Sequence, residues 1–145
     1  MAGQRSFSAS VDEWVAATRE RMEAVFRLSA EYVIENVIEL TPVDTGFLRA
    51  SLTVSTDGPL PIRSDAKPVR DGTTYETGPY SLVISGAELG SVVYASFVAA
   101  YAAHVEYGAR GRSGRGMVRL AAQRWPEHVD RAVRTAKARV NSGMT

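Results

Sequence analysis

The triplet Asp44-Thr45-Gly46 is the first place in this chain where residue types suggest chemistry. The same triplet carries the catalytic aspartate of retroviral-type aspartic proteases, where it follows an apolar strand in a nearly all-β subunit. Here a long helical pattern and Thr-Pro-Val precede it, and Phe-Leu-Arg follows it. A turn explains these residues better, because an aspartate bonds the backbone two residues on and glycine supplies a positive φ. We therefore expect Asp44 and Gly46 to shape a turn rather than an active site.

His104 and Glu106 are potential metal ligands two residues apart. A zinc site needs three or four ligands, and His128 is the only other histidine of the chain. With zero cysteines, thiolate ligands, thiol nucleophiles and disulfides are excluded. The sequence also contains no phosphate-binding P-loop, no serine-hydrolase elbow and no His-Glu-x-x-His pattern. The sequence thus predicts no catalytic residue, no metal site and no cofactor.

Residues 108–116 form the most unusual run, with four glycines and three arginines at Arg110, Arg112 and Arg115. This composition predicts a flexible cationic loop that leads into the N-terminus of a helix. Such a loop could bind phosphates, and arginine–glycine stretches can follow nucleic acid. The run lacks a row of aromatic residues on which bases could stack, so a protein contact that becomes ordered on assembly is the alternative. Both interpretations stay open at this stage.

Length and composition fit one soluble globular domain spanning residues 1–145. Of the 145 residues, 45% are hydrophobic and 23% are charged, which is ordinary for such proteins. No segment approaches the roughly 20 consecutive apolar residues that a membrane-spanning helix needs. Residues 1–9 are expected to be flexible, and they lack the apolar core of a signal peptide. We therefore expect a protein that is made in the cytoplasm and has no membrane partner.

The net charge of +1 hides an uneven distribution along the chain. Residues 1–40 carry 4 basic and 7 acidic side chains (net −3), and residues 104–145 carry 9 and 3 (net +6). Regions of opposite charge on one small protein favour docking to a partner with complementary charge. The predicted assembly contacts are an acidic ladder on the first helix and basic residues near the C-terminus: Glu31, Glu35, Glu39, Arg110, Arg112, Arg115, Arg119, Arg131 and Arg134.

The N-terminal segment should form one long helix. Ser10 and Glu13 read as a capping box at its start, and apolar residues then recur every three to four positions as far as Leu40. Thr41-Pro42 should end the helix, because the residue before proline avoids helical backbone angles. The helix would be longer than a compact domain of this size, so we expect it to project from the domain or to lie along a neighbour.

The remaining elements complete an α+β fold, in which the long N-terminal helix and a C-terminal helix pack on a small antiparallel sheet. Residues 47–52 should form a helical turn that leads into an extended segment, and residues 56–79 a long loop or hairpin arm. The best strands are 81–85 and 91–98, expected to pair across a turn at 86–90. Residues 99–107 are ambiguous, although rich enough in alanine for a short helix, and a final helix over 116–140, kinked or restarted at Pro126, should follow.

Two sequence blocks resemble a known family. The run Thr41-Pro-Val-Asp-Thr-Gly-Phe-Leu-Arg-Ala-Ser-Leu52 resembles the Pro-Val-Asp-Thr-Gly-x-Leu-Arg-x-Ser motif of small neck and tail-completion proteins of long-tailed bacteriophages. Tyr101-Ala-Ala-His-Val-Glu-Tyr-Gly108 resembles that family's Tyr-Ala-x-x-Val-Glu-Tyr/Phe-Gly, and residues 116–126 resemble its closing segment. The motif residues are Pro42, Asp44, Thr45, Gly46, Arg49, Tyr101, Glu106, Tyr107 and Gly108. Residues 56–79 match no pattern of the family.

The resemblance implies a structural virion protein at the head–tail junction that assembles as an oligomeric ring without catalysis. Its expected partners are copies of itself and other neck and tail proteins, namely a head-completion protein, a tail terminator or a tail tube. Transient contact with phage DNA is a further expectation. Within the motifs, we expect Arg49 to pair with Glu106 or Glu39. The alternative function is a nucleic-acid-binding module that uses the loop 108–116.

Overall fold

The structure is a computed structural model that describes residues 6–68 and 75–143. Its elements, in chain order, are α1 (Phe7–Leu40), α2 (Phe47–Ala50), β1 (Leu52–Ser55), α3 (Tyr80–Ser85), β2 (Tyr94–Phe97), α4 (Ala102–Tyr107), β3 (Gly108–Ala109), β4 (Arg112–Ser113), α5 (Met117–Gln123) and α6 (Trp125–Asn141). The chain is a mostly helical α+β protein. The predicted fold class is therefore confirmed.

Helix α1 begins earlier than the sequence predicted. Its N-cap is Ser6, whose side-chain oxygen accepts a hydrogen bond from the Ala9 amide at 3.2 Å. The predicted capping box at Ser10 is therefore wrong, because Ser6 satisfies the first free amides one turn earlier. Residues 7–9 are helical rather than flexible, whereas residues 1–5 of the predicted flexible segment lie outside the described part of the chain. With 34 residues, α1 is roughly 51 Å long.

The main hydrophobic core lies on the second half of α1. Ile34 and Val37 of α1 are buried together with residues from α2, both strands of the first sheet, α3 and α5, among them Leu48, Leu52, Phe97, Ile84 and Met117. A smaller cluster joins Leu28 and Tyr32 of α1 to Ala132 of α6. By contrast, every residue from Phe7 to Met22 is exposed except the half-buried Thr18. The first part of α1 thus extends beyond the body of the protein.

The first sheet has a different strand order from the predicted one. Strands β1 and β2 pair antiparallel, with Leu52 opposite Phe97 and Ser55 opposite Tyr94. The predicted strand 81–85 is wrong, because this segment is the helix α3. Its two adjacent residues Val83 and Ile84 both pack on the core while Leu82 is 70% exposed. A strand would point neighbouring side chains to opposite faces, so tertiary packing overrides the strand preference of this β-branched run.

Residues 60–66 of the predicted loop 56–79 lie along β2 and the residues that follow it instead of projecting as an arm. The Leu60 amide donates to the Ser96 hydroxyl at 3.0 Å, and the Arg63 amide donates to the Val98 carbonyl at 2.9 Å. The Ala100 amide then donates to the Ala66 carbonyl, also at 2.9 Å. Residues 69–74 of this predicted loop or arm lie outside the described residues.

The C-terminal segment is broken where the sequence predicted a break. Helix α5 ends at Gln123 and α6 begins at Trp125, with Pro126 in its first turn. Proline fits there because the first helical amides have no intrahelical acceptor. The shorter helix α5 packs on the second half of α1. Helix α6 runs along α1 in the direction of the N-terminus of α1. Residues 99–107, which the sequence left ambiguous, contain the short helix α4.

Candidate functional site: the motif turn and the cationic hairpin

The first motif forms the reversal between α1 and α2. Thr41, which is 1% exposed, ends α1 and donates its hydroxyl hydrogen to the Val37 carbonyl at 2.6 Å. Gly46 has a φ of 85°, and a β-carbon at this position would lie 2.7 Å from the Tyr75 carbonyl oxygen. Any other residue would therefore be strained in backbone angle and crowded by Tyr75. Gly46 thus has the positive φ that the sequence predicted for this turn.

The side chain that closes this turn is Thr45 rather than Asp44. The Thr45 hydroxyl oxygen accepts a hydrogen bond from the Phe47 amide at 3.2 Å, two residues on. The sequence assigned that bond to Asp44, which was wrong. Threonine and aspartate can both make this local bond, so the sequence alone did not distinguish them.

Arg49 anchors the turn to the end of α1. Its Nε donates to the Thr41 carbonyl at 3.0 Å, and an arginine beside the last carbonyls of a helix also favours the negative end of the helix dipole. Within the described residues, Arg49 forms no ion pair with Glu106 or Glu39. The predicted pair is wrong because the nearby backbone carbonyl occupies the guanidinium, and Glu106 has another partner.

Tyr101 links the two motifs through an aromatic cluster. Its ring centroid lies 6.3 Å from that of Phe47 in the first motif, and Phe47 meets Tyr75 edge to face at 5.0 Å. Burial of the phenol, together with the nearby carboxylate of Asp44, raises the pKa of Tyr101 above its ordinary value. Tyr101 therefore stays neutral at physiological pH, and its ring packs the second motif against the first.

Glu106 is a buried carboxylate that fixes the start of α5. The side chain accepts hydrogen bonds from the Val118 amide at 2.9 Å, from the Arg119 amide at 3.0 Å and from Arg119 Nε at 3.0 Å. Arg119 Nη2 also donates to the Glu106 carbonyl at 2.7 Å. Burial acts to raise the pKa of Glu106, but these hydrogen bonds and the Arg119 charge outweigh it, so the pKa lies below its ordinary value.

The second motif ends in a short hairpin rather than in a flexible loop. Strands β3 and β4 pair with Gly108 opposite Ser113 and Ala109 opposite Arg112. The Arg115 amide donates to the Val105 carbonyl at 2.7 Å, which ties the end of the hairpin to α4. Gly108 has a φ of 92°, and a β-carbon there would lie 2.5 Å from the Arg112 carbonyl oxygen. We call residues 108–115 the cationic hairpin.

The motif turn and the cationic hairpin line one open groove. A part of about 1210 Å³ is bordered by Pro42, Tyr101, His104 and the hairpin residues Arg110, Arg112 and Arg115. An adjoining part of about 920 Å³ reaches the turn at residues 43–48 and Lys67. No ion pair within the described residues involves the three hairpin arginines. The groove is consequently a positively charged surface that faces solvent.

Some of the other predicted assembly residues have partners within the chain, and others form no ion pair among the described residues. Arg119 lies 4.7 Å above the Tyr107 ring in addition to its bonds with Glu106. Arg131 lies 3.8 Å above the Tyr32 ring and 3.9 Å from the Glu35 carboxylate. Among the described residues, Glu31, Glu39 and Arg134 form no ion pair. The acidic ladder and the basic C-terminal helix therefore meet partly inside one chain, at Glu35 and Arg131.

Sequence reasoning missed two features of these surfaces. One is the capping of α5 by Glu106, since nothing in the local sequence brings residue 106 to residues 118 and 119. The other is the placement of Lys67 and His104 in the same groove as the hairpin arginines.

No group of three or more histidine, aspartate or glutamate residues in the described ranges could hold a metal ion. In those same ranges, no helix is long and apolar enough to span a membrane.

Comparison with known proteins identifies the family. The sequence model described as "Bacteriophage HK97-gp10, putative tail-component" matches residues 5–108. The matched region includes α1, the motif turn and α4, and it ends where the cationic hairpin begins. The chain belongs to this HK97-gp10-like family of phage tail components. No curated protein and no solved structure matches the chain significantly.

Proposed function

We propose that this tail component acts at the head–tail junction, where copies of it form a ring that completes the neck or tail and joins the head to the tail. Its partners in this role are its own copies and the adjoining neck and tail proteins, such as a head-completion protein, a tail terminator or a tail tube. The protein is made in the cytoplasm of the host bacterium and ends up in the virion. In this proposal its role is structural, with no catalytic step.

The observation that supports the proposal is a pair of oppositely charged surfaces, most of whose charged residues form no ion pair within the described ranges. Arg110, Arg112 and Arg115 line the groove, and Glu31 and Glu39 lie on α1; none of these five forms an ion pair with another described residue. A ring needs two different, complementary patches on each subunit, because each copy contacts its neighbours head to tail. The cationic hairpin of one copy and the acidic ladder of the next fit this requirement.

Charge reversal tests this contact. Arg112→Glu and Glu39→Arg should each abolish or weaken oligomers seen by light scattering at low salt, and the double variant should restore them. Arg139→Glu, in the last turn of α6, is the matched control and should leave assembly unchanged. If both single variants assemble like the parent, the hairpin and the ladder are not the ring contact. A cryo-electron microscopy map of the particle would test the location at the junction directly.

Nucleic-acid binding is the second candidate, because three arginines without ion pairs among the described residues line one groove together with Tyr101. DNA passes through the junction of head and tail, so a transient phosphate contact would fit the same location. A labelled duplex should then bind with an affinity that falls steeply as salt rises. The triple variant Arg110→Ala, Arg112→Ala, Arg115→Ala should lose this binding, whereas Arg139→Ala should keep it. Absence of binding by the parent protein at low salt would exclude this function.

A further inference from the structure

Five large apolar side chains on the first part of α1 have no cover in the described structure. Phe7 is 85% exposed, Trp14 is 68% exposed and Met22 is 55% exposed, and Val11 and Val15 are at least 40% exposed. We call these five residues the uncovered stripe. Aromatic side chains offer roughly 150–250 Å² each, so the stripe is as large as the largest apolar patch of a typical monomer, about 300–600 Å².

The uncovered stripe continues the face of α1 that packs on α6. Val25 packs beside Ala136, and the Tyr32 hydroxyl is 2.9 Å from the Thr135 hydroxyl. Steps of three or four residues towards the N-terminus lead from Val25 through Met22 and Thr18 to the rest of the stripe, so all these residues share one side of the helix. The same face is therefore covered from Val25 onwards and uncovered before it.

Helix α6 stops too early to cover the stripe. It runs antiparallel to α1, because its start at Arg124 contacts Asn36, with 3.4 Å between Arg124 Nη1 and Asn36 Oδ1. Its last residues, Val140 and Asn141, border Arg21 of α1. A partner that covers the stripe must therefore lie against α1 where a longer α6 would have continued.

At the end of α6, the two helices leave an apolar groove open. Its volume is about 470 Å³, and it is lined chiefly by Val25 of α1 and by Val133, Ala136 and Val140 of α6. Val140 is itself 55% exposed. The groove adjoins the C-terminal end of the stripe, so a partner that covers the stripe can also fill the groove.

We propose that the free protein forms a two-fold dimer in which the uncovered stripes of two copies pack antiparallel. In this arrangement the two-fold axis passes near Val15, and the N-terminal end of each stripe reaches the C-terminal end of the other. Phe7 of each copy then lies over the apolar groove of its partner. Each copy thus supplies both the bulky end and the groove that receives it, as a self-complementary contact requires.

The charges beside the stripe fit an antiparallel pairing better than a parallel one. Asp12 and Arg19 are roughly two turns apart on the same edge of the stripe, and neither has an ion-pair partner among the described residues. In an antiparallel pair related by a two-fold axis near Val15, Asp12 of each copy faces Arg19 of the other. Parallel stripes would bring neither of these pairs together.

The expected contact is of limited size. Two stripes of about 300–600 Å² bury roughly 600–1,200 Å² in total, at or below the lower end of specific interfaces. The dimer should therefore form only as the protein concentration rises. This two-fold contact differs from the head-to-tail contact of a ring, so it does not depend on the proposed function.

Sedimentation of the full chain over a wide concentration range tests the proposal. In salt that screens the charged contact proposed for the ring, the mass should rise from 15.7 kDa towards twice that value. Val15→Glu, in the stripe, should raise the dissociation constant by about tenfold or more. Ala9→Glu, at an exposed position on the opposite side of the helix, should leave it unchanged. A protein that stays monomeric at every concentration, or an oligomer that Val15→Glu does not affect, would overturn the proposal.

Two further pairs of variants test the orientation. Asp12→Arg should weaken the dimer, and the double variant Asp12→Arg with Arg19→Asp should restore it. Since the chain has no cysteine, Val15→Cys should form a disulfide-linked dimer under mild oxidation, because residue 15 lies near the axis. Val11→Cys should not crosslink, because in the antiparallel dimer the two copies of residue 11 are far apart. Efficient crosslinking through Val11→Cys would rule out the antiparallel arrangement.

Discussion

The two halves of α1 carry similar apolar spacing but differ in what covers them. From Leu28 to Leu40 the helix packs on α5, α6 and the core around Ile34. From Phe7 to Met22 the same kind of stripe faces solvent. The comparison shows that periodicity identifies the side of a helix that a partner should cover, but it does not say whether that partner belongs to the same chain. The exposed first half is accordingly the surface that we propose binds a second copy, and the second half is the scaffold that supports it.

The largest difference between the two halves should appear in stability. Ile34 is 2% exposed, so Ile34→Ala should lower the free energy of unfolding by about 2–5 kcal/mol, because it removes buried methyl groups and leaves a cavity. Val15→Ala in the exposed half should change it by less than about 0.5 kcal/mol. Urea unfolding at low protein concentration measures both values. Similar losses for the two variants would mean that the first half is covered within the monomer.

The next effect concerns the attachment of α5, which covers the second half of α1. Glu106→Gln removes a carboxylate that accepts three hydrogen bonds, so it should cost about 1–3 kcal/mol of unfolding free energy. Glu127→Gln in the first turn of α6 is the matched control, because Glu127 is exposed and makes no ion pair among the described residues. Equal unfolding midpoints for the two variants would contradict the assigned role of Glu106.

Acid should weaken the same attachment. Since the folded-state pKa of Glu106 lies below the ordinary value of 4.5, the ionised side chain contributes stability that is fully present above that value. This contribution is lost as the pH falls through the folded-state pKa. The stability difference between the parent protein and Glu106→Gln should therefore be constant near neutral pH and shrink below pH 4.5. A stability difference that grows on acidification would show that folding raises the pKa of Glu106 instead of lowering it.

The smallest expected effect lies at the edge of the contact between α1 and α6. Glu35 and Arg131 are 3.9 Å apart, and their side chains are 43% and 56% exposed. Glu35→Gln should therefore change the unfolding free energy by less than about 1 kcal/mol, since solvent screens exposed ion pairs. A double-mutant cycle with Arg131→Ala measures the pair itself. A coupling energy well above about 1 kcal/mol would mean that the Glu35–Arg131 pair stabilises the fold more than is usual for exposed ion pairs.

Local residues were enough to predict the ends of several elements. Thr41-Pro42 ends α1, Gly46 adopts the positive φ of the turn, and Pro126 separates α5 from α6, as the sequence predicted. These features depend on steric limits and hydrogen bonds among residues a few positions apart. The family motifs could likewise be recognised in the sequence, and the match over residues 5–108 confirms the family.

Tertiary contacts decided what the local pattern left ambiguous. Residues 81–85 form a helix because the core takes both Val83 and Ile84, and Glu106 reaches the amides of α5 through a reversal of the chain at the hairpin. Whether α1 is covered is also a tertiary property, since it depends on where α6 ends, more than a hundred residues further along the chain. The sequence alone determined the helix, its apolar face and the turn that ends it. Only the folded structure showed which part of that face the chain buries itself, because burial depends on contacts between segments that are distant in sequence.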